Sequence, residues 1–318
     1  MLLLALSCLT SMLLSDGAVV VTTTGPVRGK LNRDHNVEYY SYEGIPYAES
    51  PTGALRFKAP VPKHAWTEVL DATKAGPVCP QPVGQYNKTQ MSEDCLILNI
   101  HVPITGSGEL LPVFVFVHGG AYKTLSGNTD VLYGPQLYLK RELIYLSVNY
   151  RLGALGYLSL ENEDYPGNAG LKDVLLSLKW IKANIERFGG DNKKLNWAKL
   201  NYNVTEVAGT AHSDDLGYQF VTERTKNLLN DIDSRTRRMV DVMITLFTNF
   251  IKHGNPTPNG YEGTKWPLYD REGKYLVLSE SPSVGGRRPQ ARRLDFWYHV
   301  YQEFEEYINS GGQMADYN

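Results

Sequence analysis

The sequence predicts an α/β fold, and three of its segments carry that prediction. Leu111–Val117 is a continuous run of apolar β-branched and aromatic residues that stops at Gly119-Gly120, and Ile144–Val148 is a second such run. Strands that are apolar on both faces belong to sheets covered on both sides, which favours an α/β fold over a β-sandwich. Residues 169–188 supply a covering helix, because their apolar positions recur at steps of three and four.

The other elements follow along the chain. Residues 19–30 alternate and turn at Gly25-Pro26, as an early hairpin does. A later helix is predicted over 234–253, and both helices end before a glycine. The apolar positions of the first helix are Leu171, Val174, Leu175, Leu178, Ile181, Ile185 and Phe188, and those of the second are Met239, Val242, Met243, Leu246 and Phe250.

Composition and charge narrow the class of protein. The chain has 318 residues, of which 42% are hydrophobic and 21% charged, which is typical of a globular protein with one large or two ordinary domains. Lys plus Arg number 32 and Asp plus Glu 34, for a net charge of −2. This balance gives no electrostatic reason to expect a nucleic acid or an anionic membrane surface as a partner.

Residues 1–18 resemble a secretory signal peptide. Apolar runs at 2–6 and 12–14 are followed by small and polar residues, which predicts cleavage around 15–18 and a secreted protein. The segment has no Lys or Arg, and a buried N-terminal strand is the alternative. No later segment has the roughly 18 uninterrupted apolar residues of a membrane span, so no transmembrane segment is expected.

The cysteines and two glycosylation sequons agree with a secreted chain. Cys8 leaves with the predicted signal peptide, so Cys79 and Cys95 remain as an even pair. In an oxidising compartment they would close a short loop, worth about 3 kcal/mol, and two free buried cysteines are the alternative. Asn87 lies inside that loop in an Asn-Lys-Thr sequon, and Asn203 begins an Asn-Val-Thr sequon.

A series of motifs follows one after another along the chain and covers nearly all of residues 19–305. Its first members are EGIPYAESPTGALRF at 43–57, EDCLILN at 93–99, FVFVHGGAY at 114–122, NYRLGALGYL at 149–158 and GNAGLKDVLLSLKWIKANIERFGGD at 167–191. Its later members are AGTAHSDDLGYQF at 208–220, FTNFIKHGNPTP at 247–258, Trp266-Pro267 and LDFWYHVY at 294–301. In these motifs the chain resembles the type-B carboxylesterase (cholinesterase-like) family, and it is most similar to insect esterases.

The resemblance implies an α/β-hydrolase fold and ester hydrolysis by a Ser-His-acid triad, with no cofactor and no metal. It implies Cys79 as the disulfide partner of Cys95. By the same resemblance, Gly119 and Gly120 supply backbone N–H donors of the oxyanion hole, which can be worth roughly 3 kcal/mol each. A flexible turn is the alternative for a Gly-Gly pair that stands alone.

The segment 208–220 implies His212 as the family's general base. By itself, a histidine in a polar loop is usually an ordinary surface residue. Asp214 and Asp215 are expected to be loop or capping residues, because the acid of these enzymes comes from an earlier segment. Ser213 is not expected to act as a nucleophile, since a neighbour of the histidine in a loop does not form a nucleophile elbow. Ser126 is not expected to act either.

The nucleophile is missing from the sequence. Ester hydrolysis by this fold needs a serine in a G-x-S-x-G turn, which should follow the FGGD sequence that ends at Asp191 after one short strand. The chain continues with NKKLNWAKLNYNVTEVAGTAH instead, and no G-x-S-x-G occurs anywhere in it. The acid-bearing segment is also absent. We therefore expect one internal deletion with its junction at 191–195, within a truncated carboxylesterase domain over 19–318.

Such a deletion predicts an incomplete α/β-hydrolase fold, without central strands and the nucleophile elbow. Apolar strand edges would be exposed at the cut. The helix over 169–188 would lose the surface that it covers. Two ion pairs implied by the resemblance, Arg56 with Glu93 and Arg151 with Asp173, lie wholly in the retained part.

Three functional interpretations remain open at this point. The first is a secreted carboxylesterase-family protein that is catalytically deficient, whose full-length relatives act on small-molecule esters. The second is a non-catalytic, esterase-like binding or adhesion protein with a protein partner. The third is an active esterase with an improvised nucleophile. The substrate ester stays open, because the absent segment shapes most of the pockets of these enzymes.

Overall fold

The structure, a computed structural model, describes most of the chain between Ala18 and residue 302. The described residues are 18–130, 132–160, 162, 165, 167–199, 216–221, 235–268, 273–286, 299 and 302, and for 195–199 only the backbone is described. The chain divides into two compact units, Met1–Asn255 and Pro256–Asn318. The predicted signal peptide, except for Ala18, lies outside the described residues.

Among the described residues, the first unit contains nine strands and five α-helices. The strands are β1 (Val19–Val21), β2 (Pro26–Arg28), β3 (Lys30–Asp34), β4 (Val37–Pro46), β5 (Leu70–Asp71), β6 (Ile97–Pro103), β7 (Leu111–Val117), β8 (Ile144–Val148) and β9 (Gly190–Lys199). The α-helices are α1 (Gln136–Leu139), α2 (Gly153–Tyr157), α3 (Ala169–Asn184), α4 (Leu216–Gln219) and α5 (Arg235–His253), and short 3-10 helices span Gly53–Leu55, Lys88–Gln90 and Ile185–Phe188. The second unit contains the hairpin of β10 (Tyr275–Val277) and β11 (Ser283–Gly285).

A six-stranded mixed sheet forms the centre of the first unit, in the order β3-β4-β6-β8-β7-β9. The strands β7 and β8 are the two predicted apolar runs, and they pair in parallel from Val113 opposite Ile144 to Val117 opposite Val148. Odd-numbered residues of β7 belong to one core cluster, whereas Phe114 and Phe116 belong to another. The prediction of strands covered on both faces is therefore confirmed.

The outer edge of β7 is covered by β9, contrary to the expectation of an exposed edge there. The two strands pair in parallel, but Leu111 lies opposite Gly190 and Val113 lies opposite Leu195. The residues between Gly190 and Leu195 therefore bulge out of the ladder, which allows the segment after Asp191 to continue as a strand. Because β9 pairs only with β7 among the described residues, it forms the edge of the sheet there.

Helix α3 also keeps its place, although its apolar stripe differs from the prediction. Leu171 and Leu175 are 46% and 54% exposed. The C-terminal end of the helix packs on the sheet through Trp180 and Ile181, which belong to the core cluster that contains Val113. The buried face of the helix consists of Ala169, Gly170, Asp173, Ser177, Trp180, Ile181 and Asn184. Small and polar residues therefore form much of the buried face of α3. A prediction based only on apolar residues does not identify this face.

The two predicted ion pairs are present. Arg56 Nε donates to Glu93 Oε2 over 2.6 Å and Arg56 Nη2 donates to Glu93 Oε1 over 3.0 Å. Arg151 Nε donates to Asp173 Oδ2 over 2.8 Å and its Nη2 donates to Oδ1 over 2.6 Å. The second pair is almost fully buried and joins the chain after β8 to α3.

The opposite face of the sheet is covered by helices from later in the chain. The predicted helix over 234–253 is confirmed as α5, which begins at Arg235 and packs against β7, β9, α1 and α4. Three of its buried residues, Val240, Ile244 and Ile251, belong to a second core cluster with many aromatic rings. The rings of this cluster are those of Tyr39, Phe114, Phe116, Tyr133, Tyr138, Tyr145 and Phe220. In the part of the chain that the structure describes, no helix has the length and apolarity needed to cross a bilayer.

Candidate active site

The loop after β7 carries the predicted oxyanion donors, and we call residues 118–125 the oxyanion loop. Strand β7 brings the chain to His118, whose side chain is buried and stacks on the Tyr150 ring with centroids 4.5 Å apart. The Tyr150 hydroxyl donates to the His118 carbonyl oxygen over 2.8 Å. The start of the loop is therefore fixed against the segment that follows β8.

Gly120 is required by the geometry of the loop. Its φ is 98°, a left-handed conformation that favours glycine, and a Cβ at this position would collide with the Thr124 carbonyl group. The Gly120 carbonyl oxygen accepts from the N–H groups of Lys123 and Thr124, over 2.9 and 3.1 Å. These hydrogen bonds close a tight turn, so the backbone at the Gly-Gly pair has a defined conformation.

Three successive N–H groups in the loop are available to a ligand. Among the described residues, the N–H groups of Gly119, Gly120 and Ala121 donate no hydrogen bond. A row of unpaired N–H groups is the arrangement that stabilises a developing oxyanion. Ala121 has a φ of 52° and was not singled out from the sequence. Its position directly after the two glycines is the only sequence signal that points to it.

Neighbouring segments hold the rest of the oxyanion loop. The Gly153 N–H donates to the Tyr122 carbonyl oxygen over 2.7 Å. The Gln81 side-chain amide donates to the Leu125 carbonyl oxygen over 3.0 Å and accepts from the Leu125 N–H over 2.7 Å. The Tyr122 and Tyr157 rings lie 4.9 Å apart. The loop is thus bound at both ends and in its middle.

Ser126 follows the loop, and its hydroxyl is buried and hydrogen-bonded. Its side chain is 1% exposed, and its Oγ donates to the Tyr86 hydroxyl over 2.7 Å and accepts from the Asn128 N–H over 3.1 Å. A nucleophilic serine needs a neighbouring base and access to the substrate. Among the described residues, the hydrogen-bond partners of the buried Ser126 hydroxyl include no such base.

The carboxyl end of β9 lies beside the oxyanion loop. Ala198 is opposite Phe116 and Lys199 is opposite Val117, so β9 ends level with the strand that leads into the loop. The pairing residues of β9 read Leu-Asn-Trp-Ala-Lys and contain no serine. Strand β9 therefore ends beside the strand that leads into residues 118–125, and its residues include no serine, threonine or tyrosine.

The predicted general base lies outside the described residues. His212, together with Ser213, Asp214 and Asp215, belongs to the segment 200–215, and so does the sequon residue Asn203. The roles of these residues stay predictions. Within the described ranges, no group of three or more His, Cys, Asp or Glu side chains is arranged to hold a metal ion.

The predicted disulfide joins Cys79 and Cys95, with an S–S distance of 2.02 Å and their Cα atoms 5.0 Å apart. Asn87 lies on the closed loop, and its side chain is exposed. Its Oδ1 atom accepts from the N–H and the hydroxyl group of Thr89, over 3.0 and 2.6 Å. The glycosylation sequon therefore lies at the protein surface.

Comparison with known proteins identifies the family. A family model described as "Carboxylesterase family" matches residues 16–197 and residues 193–297. The chain belongs to the carboxylesterase family. Hydrolysis of carboxylic esters is the reaction of this family, and the predicted resemblance is confirmed.

Individual relatives match only a part of their own length. The carboxylesterase-family chain is 37% identical over 227 residues to a juvenile hormone esterase of Tribolium castaneum, and the match covers 70% of this chain and 37% of the relative. It is 38% identical over 216 residues to Esterase B1 of Culex pipiens, covering 67% of this chain and 38% of that protein. The chain thus spans well under half the length of these curated relatives.

Solved structures give the fold. A crystal structure of juvenile hormone esterase from Manduca sexta is 41% identical, with a TM-score of 0.53, over 57% of this chain and 35% of that one. A thermophilic PNB esterase is 41% identical with a TM-score of 0.52, over 56% of this chain and 38% of that one. The carboxylesterase-family chain therefore has a partial α/β-hydrolase fold.

Proposed function

We propose that this carboxylesterase-family chain is catalytically deficient in ester hydrolysis. The observation that carries the proposal is the pairing of β9 beside the oxyanion loop with no serine at its end. The N–H groups of Gly119, Gly120 and Ala121 can polarise a carbonyl oxygen. No serine lies at the described end of β9 to attack the carbonyl carbon, so we expect no acyl-enzyme to form. Binding and an oxyanion hole alone leave only a residual rate enhancement, roughly 10³- to 10⁴-fold over water.

Hydrolysis of p-nitrophenyl acetate tests this proposal. We expect the purified chain to release p-nitrophenol without a burst, while a full-length insect carboxylesterase assayed in parallel shows one. The variants Ser126→Ala and Ser213→Ala should leave the small residual rate unchanged. A burst equal to the protein concentration, lost in one of these variants, would show that the chain has an improvised nucleophile and would overturn the proposal.

We also propose that the missing nucleophile and acid were lost in one internal deletion near residues 191–195. Two features support this: the family match consists of two segments that meet at 193–197, and the chain spans less than two fifths of the relatives named above. Sequencing of the transcript across the codons for residues 188–200 tests the proposal. Reads that restore a G-x-S-x-G segment would show that the native protein is an ordinary esterase.

Secretion and glycosylation form the second part of the proposed function. The disulfide between Cys79 and Cys95 and the exposed sequon at Asn87 both suit an oxidising secretory compartment. On expression in insect cells, we expect the chain in the medium with a glycan that peptide N-glycosidase removes. The variant Asn87→Gln should lose one glycan, and the variant Asn203→Gln tests the second sequon in the same way. An intracellular chain with free thiols would contradict secretion.

A non-catalytic binding function is the second candidate. It is favoured by the exposed apolar side chains of Leu171 and Leu175 on α3, which lie one helical turn apart. A monodisperse chain with a reproducible protein partner would support it, if the double variant Leu171→Lys, Leu175→Lys loses that partner. The exposed Lys179 on the same helix provides a control variant, Lys179→Glu, that should keep it.

A further inference from the structure

The oxyanion loop contains backbone conformations that need support from outside the loop. Ala121, Tyr122 and Leu125 have φ angles of 52°, 60° and 75°, in the left-handed region that residues with a Cβ rarely adopt. Such conformations persist only where surrounding contacts fix them. The hydrogen bonds onto the Gly120 carbonyl oxygen close the turn from within, but they do not reach Leu125, the last residue of the loop.

Gln81 fixes this end of the loop through its side-chain amide. Its Nε2 atom donates to the Leu125 carbonyl oxygen over 3.0 Å, and its Oε1 atom accepts from the Leu125 N–H over 2.7 Å. Nε2 also donates to the Cys79 carbonyl oxygen over 3.1 Å. One side chain therefore binds both polar groups of the Leu125 backbone and joins them to a disulfide cysteine, although 44 residues separate Gln81 from Leu125.

The chain around Gln81 holds that amide in place. Pro80 and Pro82 flank Gln81, and a proline restricts both its own φ and the backbone of the residue before it. Cys79 is 2% exposed and is joined by the disulfide to Cys95, which is 0% exposed and lies just before β6. Gln81 is therefore anchored to the core of the first unit.

A second contact supports the chain just beyond the oxyanion loop. We call residues 79–95 the disulfide loop. Within it, the buried Tyr86 accepts at its hydroxyl oxygen from Ser126 Oγ over 2.7 Å. The disulfide loop thus holds two consecutive residues, Leu125 and Ser126, and Gln81 provides the contact that lies within the oxyanion loop itself.

We propose that Gln81 is a positioning residue for the row of free N–H groups at residues 119–121. The start of the oxyanion loop is fixed by Tyr150 and its end by Gln81, so the turn between them is held at both ends. A carbonyl oxygen that meets donors already in place requires no reorganisation of them. Gln81 itself contacts no ligand. The inference is independent of the proposed catalytic deficiency, because it concerns the N–H groups before any substrate binds.

Amide hydrogen exchange and ¹⁵N–¹H NMR spectra of the purified chain test this role. The variant Gln81→Met removes the amide and keeps the length of the side chain. The N–H groups of residues 123–125 should then exchange about tenfold faster, the size expected for the loss of two hydrogen bonds. The signals of residues 119–121 should shift or broaden. Gln90→Met is the matched control, because it removes an amide that accepts from the Asn87 N–H in the same disulfide loop, and it should leave these signals unchanged.

The variant Gln81→Glu provides a second test that stays informative if Gln81→Met destabilises the whole sheet. A protonated carboxyl group has one O–H donor and one acceptor, so it reproduces both hydrogen bonds to Leu125, whereas a carboxylate only accepts. We expect exchange at residues 123–125 close to that of wild type at pH values below a carboxyl pKa of about 4.3, and faster than wild type at neutral pH. A side chain that only fills space would show no such dependence.

Three results would overturn the proposal. Faster exchange of the Leu125 N–H alone, with unchanged signals for residues 119–121, would show that Gln81 only satisfies one peptide group. An unchanged ratio of Gln81→Glu to wild-type exchange across the pH range would show that the amide bonds do not hold the turn. Equal effects in Gln90→Met would assign the change to a general loosening of the disulfide loop.

Discussion

The buried ion pair between Arg151 and Asp173 allows a quantitative test of the retained fold. Asp173 is 0% and Arg151 2% exposed. The Asp173 carboxylate accepts from Nε, Nη2 and the backbone N–H of Arg151, over 2.8, 2.6 and 3.1 Å. Burial raises the pKa of Asp173, and the hydrogen bonds from Arg151 oppose that rise.

The variant Asp173→Ala leaves the Arg151 guanidinium buried without a counter-charge. Its Nη1 atom has no hydrogen-bond partner among the described residues even in the wild type, and the substitution removes the acceptor of Nε and Nη2 as well. Removal of one partner of a buried pair costs about 3–5 kcal/mol. That is a large fraction of the roughly 5–15 kcal/mol that stabilises a folded protein. The double variant Arg151→Met, Asp173→Leu removes both charges, so it should recover most of the loss.

Urea unfolding followed by tryptophan fluorescence measures these changes. Glu93→Ala is the matched control, because it breaks the bidentate ion pair with Arg56. In this pair the side chains are more exposed, Glu93 to 29% and Arg56 to 41%. Partly exposed pairs contribute about 0–1 kcal/mol. If Asp173→Ala falls within 1 kcal/mol of Glu93→Ala, or if the double variant is as unstable as Asp173→Ala, the reasoning about charge burial is wrong.

Three further predictions concern the disulfide, the oxyanion loop and acid stability. Replacement of Cys79 and Cys95 by Ala should lower the unfolding free energy by about 3 kcal/mol in the same urea assay, and an unchanged urea midpoint would contradict this. Gly120→Ala should destabilise the chain by about 1–3 kcal/mol, because a Cβ meets the Thr124 carbonyl and φ is 98°; a wild-type urea midpoint would mean that the turn adopts another shape. Hydrogen bonds from the N–H of His64 and from Lys63 lower the pKa of Glu49 to about 2. The ionised Glu49 therefore stabilises the folded protein at pH values above the unfolded pKa near 4.5, and this stabilisation is lost as the pH falls toward 2. Comparison of Glu49→Gln with wild type across this range should show a difference on the order of 1 kcal/mol that disappears at the acid end.

The sequence predicts the sheet well where both faces of a strand are buried. Strand β7 is apolar throughout because its alternate residues enter two separate cores: the valines at 113, 115 and 117 enter one, and Phe114 and Phe116 enter the other. The same pattern reasoning fails on α3, since it assigns Leu171 to the buried face. The N-terminal half of that helix is held by small residues and by Asp173, whose burial depends on a partner distant in sequence.

The candidate site could be predicted only in part. The Gly119-Gly120 pair is visible in the sequence because a strand precedes it, but the free N–H of Ala121 depends on the turn closed at Thr124. The strand β9 could not be predicted, because its pairing with β7 requires a bulge after Gly190 and no pattern in the local sequence indicates that bulge. The absence of a G-x-S-x-G motif can be read directly from the sequence, whereas the strand that continues after Asp191 and covers the edge of β7 cannot.

Covalent labelling with a fluorophosphonate tests directly whether this chain has an activated serine. The reagent phosphonylates an activated serine, and intact-protein mass spectrometry counts the adducts on the folded, secreted chain. We expect no mass increase under conditions in which a full-length insect carboxylesterase gains one adduct per molecule. One adduct per molecule on this chain, absent after heat denaturation, would contradict the proposed catalytic deficiency. It would show that a serine outside a G-x-S-x-G turn is activated.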